Sequence, residues 1–410
     1  MFTSFSTALS ALGAHSTAVD VVGNNLANLN TPGFKASTVS FYDLVTQSLG
    51  AGLGETQVGF GVGRPVTLRQ FSQGAIQSSS GTLDAAIQGD GFLVIRDQTG
   101  ATLYTRGGNL QVDKSGNLLT ATGNKVQGWT VGPDGTMNTS GAVGDIVIPV
   151  GTLKQPKPST EFSFDLNLNA AAPDGEKFLA SIEVFDSLGT SHEVTVVFEK
   201  TAANEWNYSI SIPDADLASG TVTPVTGTLK FDSKGQLDSS TAEPGKLAVD
   251  NLKSGADKLE LSWSLFQNSK PRLTQFAQPS AISANAQDGY PAAQLVRVGL
   301  ADGGKVLAQY SNGQQTVVGQ LAMASIRNPE SLIAVGNNNF QLSARSALPA
   351  IGLPGTGGRG VILGGAIEYS NVDIAREFTN LIVLQRGYQA NSRVVTAVDE
   401  LSQETINLKR

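Results

Sequence analysis

The sequence predicts a mainly β protein with long terminal α-helices, in which discontinuous antiparallel β domains are nested between an N-terminal and a C-terminal helical pair. Three observations lead to this fold class. Apolar residues recur at heptad-like spacing near both ends of the chain, which indicates amphipathic helices. Between the ends the apolar period becomes two and turn residues recur at short intervals, which indicates short strands. Strand patterns do not alternate with helical patterns, so parallel βαβ units are not expected.

The first helix is predicted within residues 1–30, where large apolar side chains follow one helix face with gaps of three, four and seven residues. This stripe consists of Phe2, Phe5, Leu9, Leu12, Val19 and Leu26. One stripe on a helix of this length gains too little from burial to offset the entropy of ordering the backbone. We therefore expect the stripe to need a partner surface.

A turn is predicted to end this helix, because Pro32 and Gly33 occupy the positions that favour Pro and Gly in a type II turn. Residues 31–73 are then expected to form an extended, Gly-rich connector.

The middle of the chain is predicted to hold one β domain inserted into another. The outer insertion covers residues 151–285, and the interrupted domain consists of residues 74–150 and 286–369. In the insertion, Val194, Val196 and Phe198 alternate with residues that include the polar Glu193, Thr195 and Glu199, as in a strand with one buried face. A Pro-rich stretch at 154–158 and a Ser- and Ala-rich stretch at 279–287 mark the two crossings.

The second long helix is predicted at residues 371–408, with Ser370 as its N-cap and Asp373 in its first turn. Together with residues 1–30, residues 370–410 would form a terminal helical core domain. Gly387 costs about 1 kcal/mol relative to Ala in a helix interior, so we expect it to allow a close helix approach or a bend. The apolar stripe of this helix consists of Ile374, Phe378, Leu381, Tyr388, Val395, Val398, Leu401 and Leu408.

Composition excludes several function classes. The chain has 410 residues, a net charge of −7 and no cluster of Lys and Arg, so nucleic acid is not an expected partner. It has no cysteine, which excludes disulfides and thiolate chemistry. No apolar run is long enough to cross a bilayer, so membrane insertion is not expected. The first residues lack the basic and apolar regions of a cleaved signal peptide, so the chain either stays in the cytoplasm or leaves by another route.

No catalytic residue, cofactor or metal site is predicted, and the chain is not expected to be an enzyme. Residues 355–360 match G-x-G-x-x-G, but a β-like segment follows them instead of a helix. The chain has two histidines, His15 and His192, which lie in different predicted elements. Asp97 and Asp113 lack the spacing of a calcium loop and are better explained as turn residues.

Both chain ends resemble the flagellar rod and hook family. Residues 24–35 closely resemble its N-terminal signature, and residues 370–373, 377–382 and 385–392 resemble its C-terminal helix. The residues of the signature turn are Asn28, Asn30, Thr31, Pro32, Gly33 and Phe34. Residues 91–95 and 104–109 are similar to the wider family. The stretches that are similar to its hook members are 185–192 with Trp206, 309–314, 321–323 and 328–330.

This resemblance implies a structural subunit of a curved tube that joins the rod to the filament and acts as a flexible universal joint in motility. In that family the paired terminal helices line the inner core of the tube and the β domains lie outside. The implied partners are other copies of the chain, the distal rod protein, the hook-cap protein, the hook-filament junction protein and the flagellar type III export apparatus. The implied location is the hook and basal body of the bacterial flagellum, outside the cell after export.

Three alternatives remain open from the sequence. Periodicity alone favours helices that pack within one chain, on each other or on the β body, whereas the resemblance favours stripes that bind neighbouring copies. A distal rod protein of the basal body would share both terminal signatures, but rod proteins are shorter and the insertion at 151–285 favours the hook. A secreted β-rich adhesin or enzyme would need a signal peptide or a catalytic constellation.

Overall fold

Two units make up the chain in a computed structural model that describes residues 2–44, 46–49, 56–132, 136–239, 241 and 243–407. The terminal unit consists of Met1–Val150, Arg297–Gln309 and Gln315–Arg410. The inserted unit consists of Gly151–Val296 and Tyr310–Gln314. The predicted fold class is confirmed, because antiparallel sheets dominate and a helix stands at each end of the described chain.

The terminal unit begins with helix α1 (Phe2–Ala27), followed by a ribbon of strands. These are β1 (Ser37–Ser40), β2 (Thr46–Leu49), β3 (Thr56–Gly59) and β4 (Val66–Arg69). β1 pairs antiparallel with β4, and β2 pairs antiparallel with β3. This differs from the extended connector predicted for residues 31–73. The two halves of the segment satisfy each other's backbone hydrogen bonds, which an extended connector would leave to water.

The next segment of the terminal unit is built from short strands. They are β5 (Ile76–Ser78), β6 (Ala85–Gln88), β7 (Phe92–Arg96), β8 (Thr102–Thr105), β9 (Leu110–Val112), β10 (Leu118–Thr120), β11 (Lys125–Thr130) and β12 (Gly144–Asp145).

Strands also dominate the inserted unit. They are β13 (Glu161–Asn169), β14 (Lys177–Phe185), β15 (Ser191–Ala202), β16 (Glu205–Ser211), β17 (Val225–Lys230), β18 (Leu247–Val249), β19 (Leu259–Trp263), β20 (Phe266–Gln267), β21 (Lys270–Pro271), β22 (Leu273–Phe276) and β23 (Ala281–Gln287). A 3₁₀ turn lies at Asp214–Asp216.

The chain then returns to the terminal unit. Its remaining elements are β24 (Leu295–Ala301), β25 (Lys305–Tyr310), β26 (Gln315–Leu321), β27 (Met323–Ser325), β28 (Ile333–Gly336), β29 (Asn339–Gln341), β30 (Ala350–Gly352), β31 (Val361–Gly364), β32 (Ala366–Glu368) and helix α2 (Ile374–Asn407), with 3₁₀ turns at Asp302–Gly304 and Pro329–Ser331.

Strands from both segments of the terminal unit pair with each other. The main sheet has the order β24-β25-β26-β11-β7-β8-β29-β28, and β5 and β6 pair with β32 and β31. Its core includes Phe92, Trp129 and Phe340, with Phe71 in edge-to-face contact with two of these rings. These pairings support a β domain interrupted by an insertion, and the boundaries predicted for it stay a prediction.

The inserted unit has two larger sheets that enclose one apolar core, and a two-stranded sheet of β20 and β21. One sheet has the order β14-β15-β16-β17, and the other has the order β18-β19-β13-β22 with β23 on β13. The alternation predicted for β15 is confirmed, because Val194, Val196 and Phe198 are buried and their neighbours are not. Trp206 is fully buried in this core.

Parallel strand pairs in the inserted unit were not expected. β13 pairs parallel with β19 and with β22. Parallel neighbours need a long crossover, which is usually a helix. Here the segment between β13 and β19 forms the other sheet, so a sheet takes the place of the crossover helix.

The predicted exit from the insertion, residue 285, lies within strand β23. This strand pairs antiparallel with β13 over most of its length. Beyond β23, Tyr290 and Ala293 form backbone bridges with Lys157 and Lys154. These contacts keep the chain in the inserted unit as far as Val296.

Four turns share the pattern D-x-x-G, and they begin at Asp97, Asp113, Asp186 and Asp232. In each, Oδ1 accepts N–H groups from the second and fourth following residues at 2.7–2.9 Å. The Gly lies at φ between 75° and 90°, where residues with a Cβ are disfavoured. The prediction that Asp97 and Asp113 are turn residues is confirmed.

The Asp288 side chain binds the segment where the chain enters the inserted unit. Its carboxylate accepts the N–H of Thr160 at 2.7 Å, the N–H of Glu161 at 3.0 Å and the ammonium of Lys157 at 2.9 Å. Burial alone would raise the pKa of Asp288, but these donors outweigh burial and hold the pKa far below its usual range.

We expect acid to weaken the inserted unit through Asp288. Because its folded pKa is depressed, its contribution is complete above the unfolded pKa of about 4 and is lost as pH falls from there toward the folded pKa. The urea midpoint of the inserted unit, followed by the fluorescence of Trp206 and Trp263, should fall between pH 7 and pH 3. In Asp288→Asn the midpoint should be lower at pH 7 and should fall less. An equal fall in both proteins would contradict this role.

Candidate assembly interface

Helices α1 and α2 pack along each other at the ends of the terminal unit. The apolar residues that α1 buries most completely are four alanines and one valine. They are Ala8, Ala11, Ala14, Ala18 and Val22, each at most 9 % exposed. They recur every three or four residues and therefore form one helix face. Small side chains let neighbouring backbones approach closely, so this alanine face suits the packing observed.

The inner face of α2 is half-buried, at residues that also recur every three or four positions. They are Leu381, Leu384, Gly387, Asn391, Val395, Val398 and Ser402. The connector crosses α1 as well. The N–H of Val62 donates to Ser10 Oγ at 3.2 Å, and the rings of Phe41 and His15 lie 5.6 Å apart. Helix α1 thus contacts α2 on one part of its surface and the connector on another.

Gly387 permits a close approach of the two helices, which is one of the two roles expected for it. A Cβ at this position would lie 2.7 Å from Cε1 of His15. The ring of His15 therefore occupies the space that a larger residue at 387 would need.

We expect Gly387→Ala to destabilise the helix pair by about 1–3 kcal/mol through overpacking, although Ala favours helix formation. Thermal unfolding followed by far-UV circular dichroism measures the change. The double variant with His15→Ala should recover the loss, because the ring that clashes is gone. A Gly387→Ala chain more stable than the original would show that His15 moves aside freely.

The outer faces of both helices expose large apolar side chains. On α1, Phe5 is 41 % exposed and Leu9 is 56 % exposed. On α2 the exposed set is Ile374, Phe378, Ile382, Val383, Tyr388, Val394, Leu401 and Ile406, between 42 and 68 % exposed. Exposed large apolar side chains in this number on one helix pair are a feature of interaction sites rather than of free surfaces.

The predicted stripes divide between these two faces. Those that are half-buried are Leu12, Val19, Leu26, Leu381, Val395 and Val398, and those that are exposed are Phe5, Leu9, Ile374, Phe378, Tyr388 and Leu401. Phe2 is the first residue of α1, and Leu408 lies outside the described residues. The alanine face was not predicted, although the spacing of Ala8, Ala11, Ala14 and Ala18 indicates one helix face.

The signature turn that follows α1 has the predicted geometry. Gly33 lies at φ +69°, and the N–H of Phe34 donates to the carbonyl of Thr31 at 3.2 Å. A Cβ at Gly33 would meet the backbone of Arg106 at 2.8 Å, so only Gly fits here. Asn28 Oδ1 accepts the hydroxyl of Thr31 at 3.1 Å, and Asn338 donates to the carbonyl of Pro32 at 2.9 Å. Asn30 is exposed.

A buried charged cluster lies just beyond this turn and consists of Lys35, Arg106 and Glu368. Lys35 Nζ lies 2.6 Å from Glu368 Oε1, and both side chains are fully buried. Arg106 Nη1 lies 3.4 Å from Glu368 Oε2. Burial first, and then the Arg106 charge, lower the pKa of the Lys35 ammonium, although Glu368 raises it. One carboxylate thus holds two cations from distant parts of the chain at the base of the helices.

Two asparagines complete the base of the helix pair. Asn25 of α1 donates to the carbonyl of Ser37 at 2.8 Å and accepts its N–H at 2.9 Å. Asn371, just before α2, accepts the N–H of Ala36 at 2.7 Å and donates to the carbonyl of Gln70 at 2.9 Å. Both helix ends are therefore fixed to the same connector strands.

The start of α2 differs from the prediction. Asp373 Oδ1 accepts the N–H groups of Ala375 at 2.9 Å and Arg376 at 3.2 Å, so Asp373 is the N-cap. The prediction that Ser370 caps the helix was wrong. Ser370 and the two residues after it belong to the segment that Asn371 and Val372 anchor to the β body.

The other motifs considered in the sequence do not form a metal-binding or catalytic arrangement among the described residues. Within the described residues, no three His, Asp or Glu side chains gather in a way that could hold a metal ion. His192 lies between Asp186 at 3.1 Å and Asp216 at 3.0 Å, while the Ser254 hydroxyl donates to Asp186 and not to the histidine. β31 follows residues 355–360, as predicted. Among the described residues, neither α1 nor α2 combines the length and apolar character of a membrane span.

Four sequence models of flagellar families match successive parts of this chain. "Flagella basal body rod protein" matches residues 5–35, and "Flagellar hook protein FlgE/F/G D1 domain" matches 86–167. "Flagellar basal body protein FlaE D2 domain" matches 158–290, and "Flagellar basal body rod FlgEFG protein C-terminal" matches 363–408.

Curated relatives are similar over their whole length. The flagellar hook protein FlgE of Escherichia coli (strain K12) is 33 % identical over 419 residues, which cover 99 % of this chain and 100 % of that protein. This chain belongs to the flagellar hook protein FlgE family. The FlgE of Borreliella burgdorferi is 32 % identical over 450 residues, which cover 100 % of each chain. The fold of this chain matches the crystal structure of Helicobacter pylori flagellar hook protein FlgE2 with a TM-score of 0.53. The match has 15 % sequence identity and covers 70 % of this chain and 99 % of that chain.

The family fixes the general function of the chain. It is a structural subunit of the hook of the bacterial flagellum, which polymerises with copies of itself. The distal rod protein and the secreted adhesin, left open by the sequence, are not favoured, because the full length of the chain matches hook proteins.

Proposed function

We propose that the subunits assemble through the exposed apolar faces of α1 and α2, while the alanine face holds the two helices together within each subunit. One observation carries this proposal. The helix pair is already packed, yet Phe5, Leu9 and the exposed set of α2 remain between 41 and 68 % exposed. Side chains of this kind gain free energy when a neighbour covers them. Neighbouring subunits in a polymer supply such a cover.

In this proposal each part of the chain has a mechanical role. The terminal helices (1–30 and 370–410) form the core of the tube, and the exposed residues of the two predicted stripes form its contacts. The charged cluster and Asn25 and Asn371 set the direction in which the helix pair leaves the β body. The β domains at 74–150 with 286–369 and at 151–285 lie outside and transmit torque between neighbours.

The proposal also covers partners and export. The distal rod protein and the hook-filament junction protein would meet the two ends of the polymer, and the hook-cap protein would cover the growing end. Export would follow the flagellar type III route. We propose no catalytic activity, which agrees with the structural role of the family.

Electron microscopy of the purified chain at high concentration or in ammonium sulfate tests the helix-driven model. The full chain should form hollow tubes. Chains that lack residues 1–22 or 376–410 should not, although Asn25 and Asn371 remain to anchor the β body. Near-UV circular dichroism should report folded β units in both truncated chains. Tubes from either truncated chain would contradict the model.

Hydrogen exchange provides a second measure on the intact protein. The amides of α1 and α2 should exchange more slowly in the polymer than in the monomer, because the outer faces become covered. Equal protection in both forms would show that neighbouring subunits do not contact these helices.

A further inference from the structure

A groove of about 310 Å³ lies between α1, α2 and β1 of the terminal unit. Most of its lining is apolar, with Val21 and Val22 from α1, Val39 and Phe41 from the connector, and Leu384 from α2. The carboxyl group of Glu377 also lines it. Glu377 is only 6 % exposed, and its Oε2 has no hydrogen-bond partner. In the described part of the chain, no Lys, Arg or His forms an ion pair with it.

A buried carboxyl group without a partner is costly, so a structure that keeps one usually supplies its partner from elsewhere. The surrounding apolar surface excludes water from most directions and therefore strengthens the electrostatic interaction between Glu377 and any charged group that enters the groove. The group that fits is a cation on a long apolar stem, because the stem can lie along the valines while the charge reaches Glu377.

We propose that this groove receives a basic side chain of a second copy of this chain, which pairs with Glu377 when the subunits assemble. The inference rests on the proposed assembly through the helices and names one contact of that interface. Two observations favour a second copy. Val383 and Phe41 line the groove and are exposed, so the groove continues into the exposed apolar face of α2. The same helix also presents Arg376, Arg386 and Arg393, which are exposed and form no ion pair among the described residues.

An arginine suits the site better than a lysine. The planar guanidinium can donate two parallel hydrogen bonds to one carboxylate and is less strongly hydrated than an ammonium. The groove thus adds electrostatic selectivity to an interface that is otherwise apolar, because a like charge placed against Glu377 would be repelled.

The test compares Glu377→Gln with Glu404→Gln in the full-length chain. Both changes remove one negative charge from α2, but Glu404 is exposed. We expect the critical concentration for tube formation to rise about tenfold or more for Glu377→Gln and to stay unchanged for Glu404→Gln. The thermal unfolding of the Glu377→Gln monomer should be no lower than that of the original chain, because the carboxyl has no partner there.

Double-mutant cycles then identify the cation. Arg376, Arg386 and Arg393 are each replaced by Met, alone and together with Glu377→Met. For one of them the two effects on assembly should be non-additive, while the effects on monomer stability stay additive. This pattern places the pair between two copies. Additive effects on assembly for all three arginines would overturn the proposal.

The outcomes also separate this inference from the proposed function. If serine at Phe378 weakens assembly and Glu377→Gln assembles normally, the groove proposal fails and the helix interface stands. If neither change affects assembly, both fail. A lower unfolding temperature for the Glu377→Gln monomer would show an intramolecular role and would also overturn the groove proposal.

Discussion

Replacing Phe378 and Ile382 by serine should raise the critical concentration for tube formation by roughly 10–100-fold, while the monomer, in which about half of each side chain is already buried, should lose about 1.5–3 kcal/mol of stability and stay folded. Both side chains are 52 % exposed, so about half of the usual burial free energy of about 1.5–3 kcal/mol each remains to be gained on assembly. Without the two side chains, each subunit that joins the polymer gains about 1.5–3 kcal/mol less, and each 1.4 kcal/mol is about tenfold in an equilibrium constant.

The design of this experiment separates assembly from folding. Thr379→Ser is the matched control, because Thr379 lies on the same turn and its hydroxyl bonds to the carbonyl of Ala375, which Ser can also do. Sedimentation of polymer over a range of protein concentrations measures the threshold. A double serine variant that polymerises at the original concentration would mean that this face of α2 is not covered in the tube.

Glu368→Gln should destabilise the terminal unit by about 3–5 kcal/mol, because it leaves Lys35 and Arg106 buried without their shared counter-charge. The other contacts of the cluster, from the N–H of Gly74 to Glu368 Oε1 at 2.8 Å and from the Lys35 ammonium to the carbonyl of Ser72 at 2.7 Å, supply no negative charge that could replace the carboxylate. Urea unfolding followed at Trp129, in the core of the terminal unit, measures the effect.

A surface pair in the inserted unit provides the comparison. Lys258 and Glu260 lie 3.0 Å apart with about half of each side chain exposed, and exposed pairs contribute little. Glu260→Gln should therefore leave both units unchanged within error. If Glu368→Gln were equally silent, the charged cluster would not hold the base of the helices, and its position there would have another explanation.

Local patterns explain how much of the fold could be predicted. The turn at Pro32 and Gly33 depends on the conformations of two neighbouring residues, and the D-x-x-G turns depend on one aspartate and the glycine three residues later. Signals of this kind are contained in a few consecutive residues. Amphipathic helices are similar, since their period of 3.6 repeats within a dozen residues.

The packing of the helices was harder to predict, because hydrophobicity singles out the largest side chains. Phe5, Leu9 and Phe378 dominate the stripes, yet the alanine face of α1 is what the folded chain buries. Close approach depends on small size rather than on hydrophobicity. The two properties therefore define two faces of α1, one for the partner helix and one that stays exposed.

Long-range features carried no sequence signal that could be read from one chain. The pairing of Lys35 with Glu368 joins residues with no common motif, and the parallel pairing of β13 with β19 needs the fold of the segment between them. The N-cap at Asp373 was misassigned to Ser370 because both residues fit the capping preference. The choice between them depends on Asn371, which ties the preceding segment to the connector.

The sequence separation of Lys35 and Glu368 affects when a newly made subunit becomes able to assemble. The two residues are separated by 333 positions, so their contact closes only after nearly the whole polypeptide is present. A prematurely terminated copy would carry α1 without the counter-charge that fixes its exit angle, and without α2. Such a copy could not present both helices to a neighbour, so completeness of synthesis becomes a precondition for entering the wall of the tube.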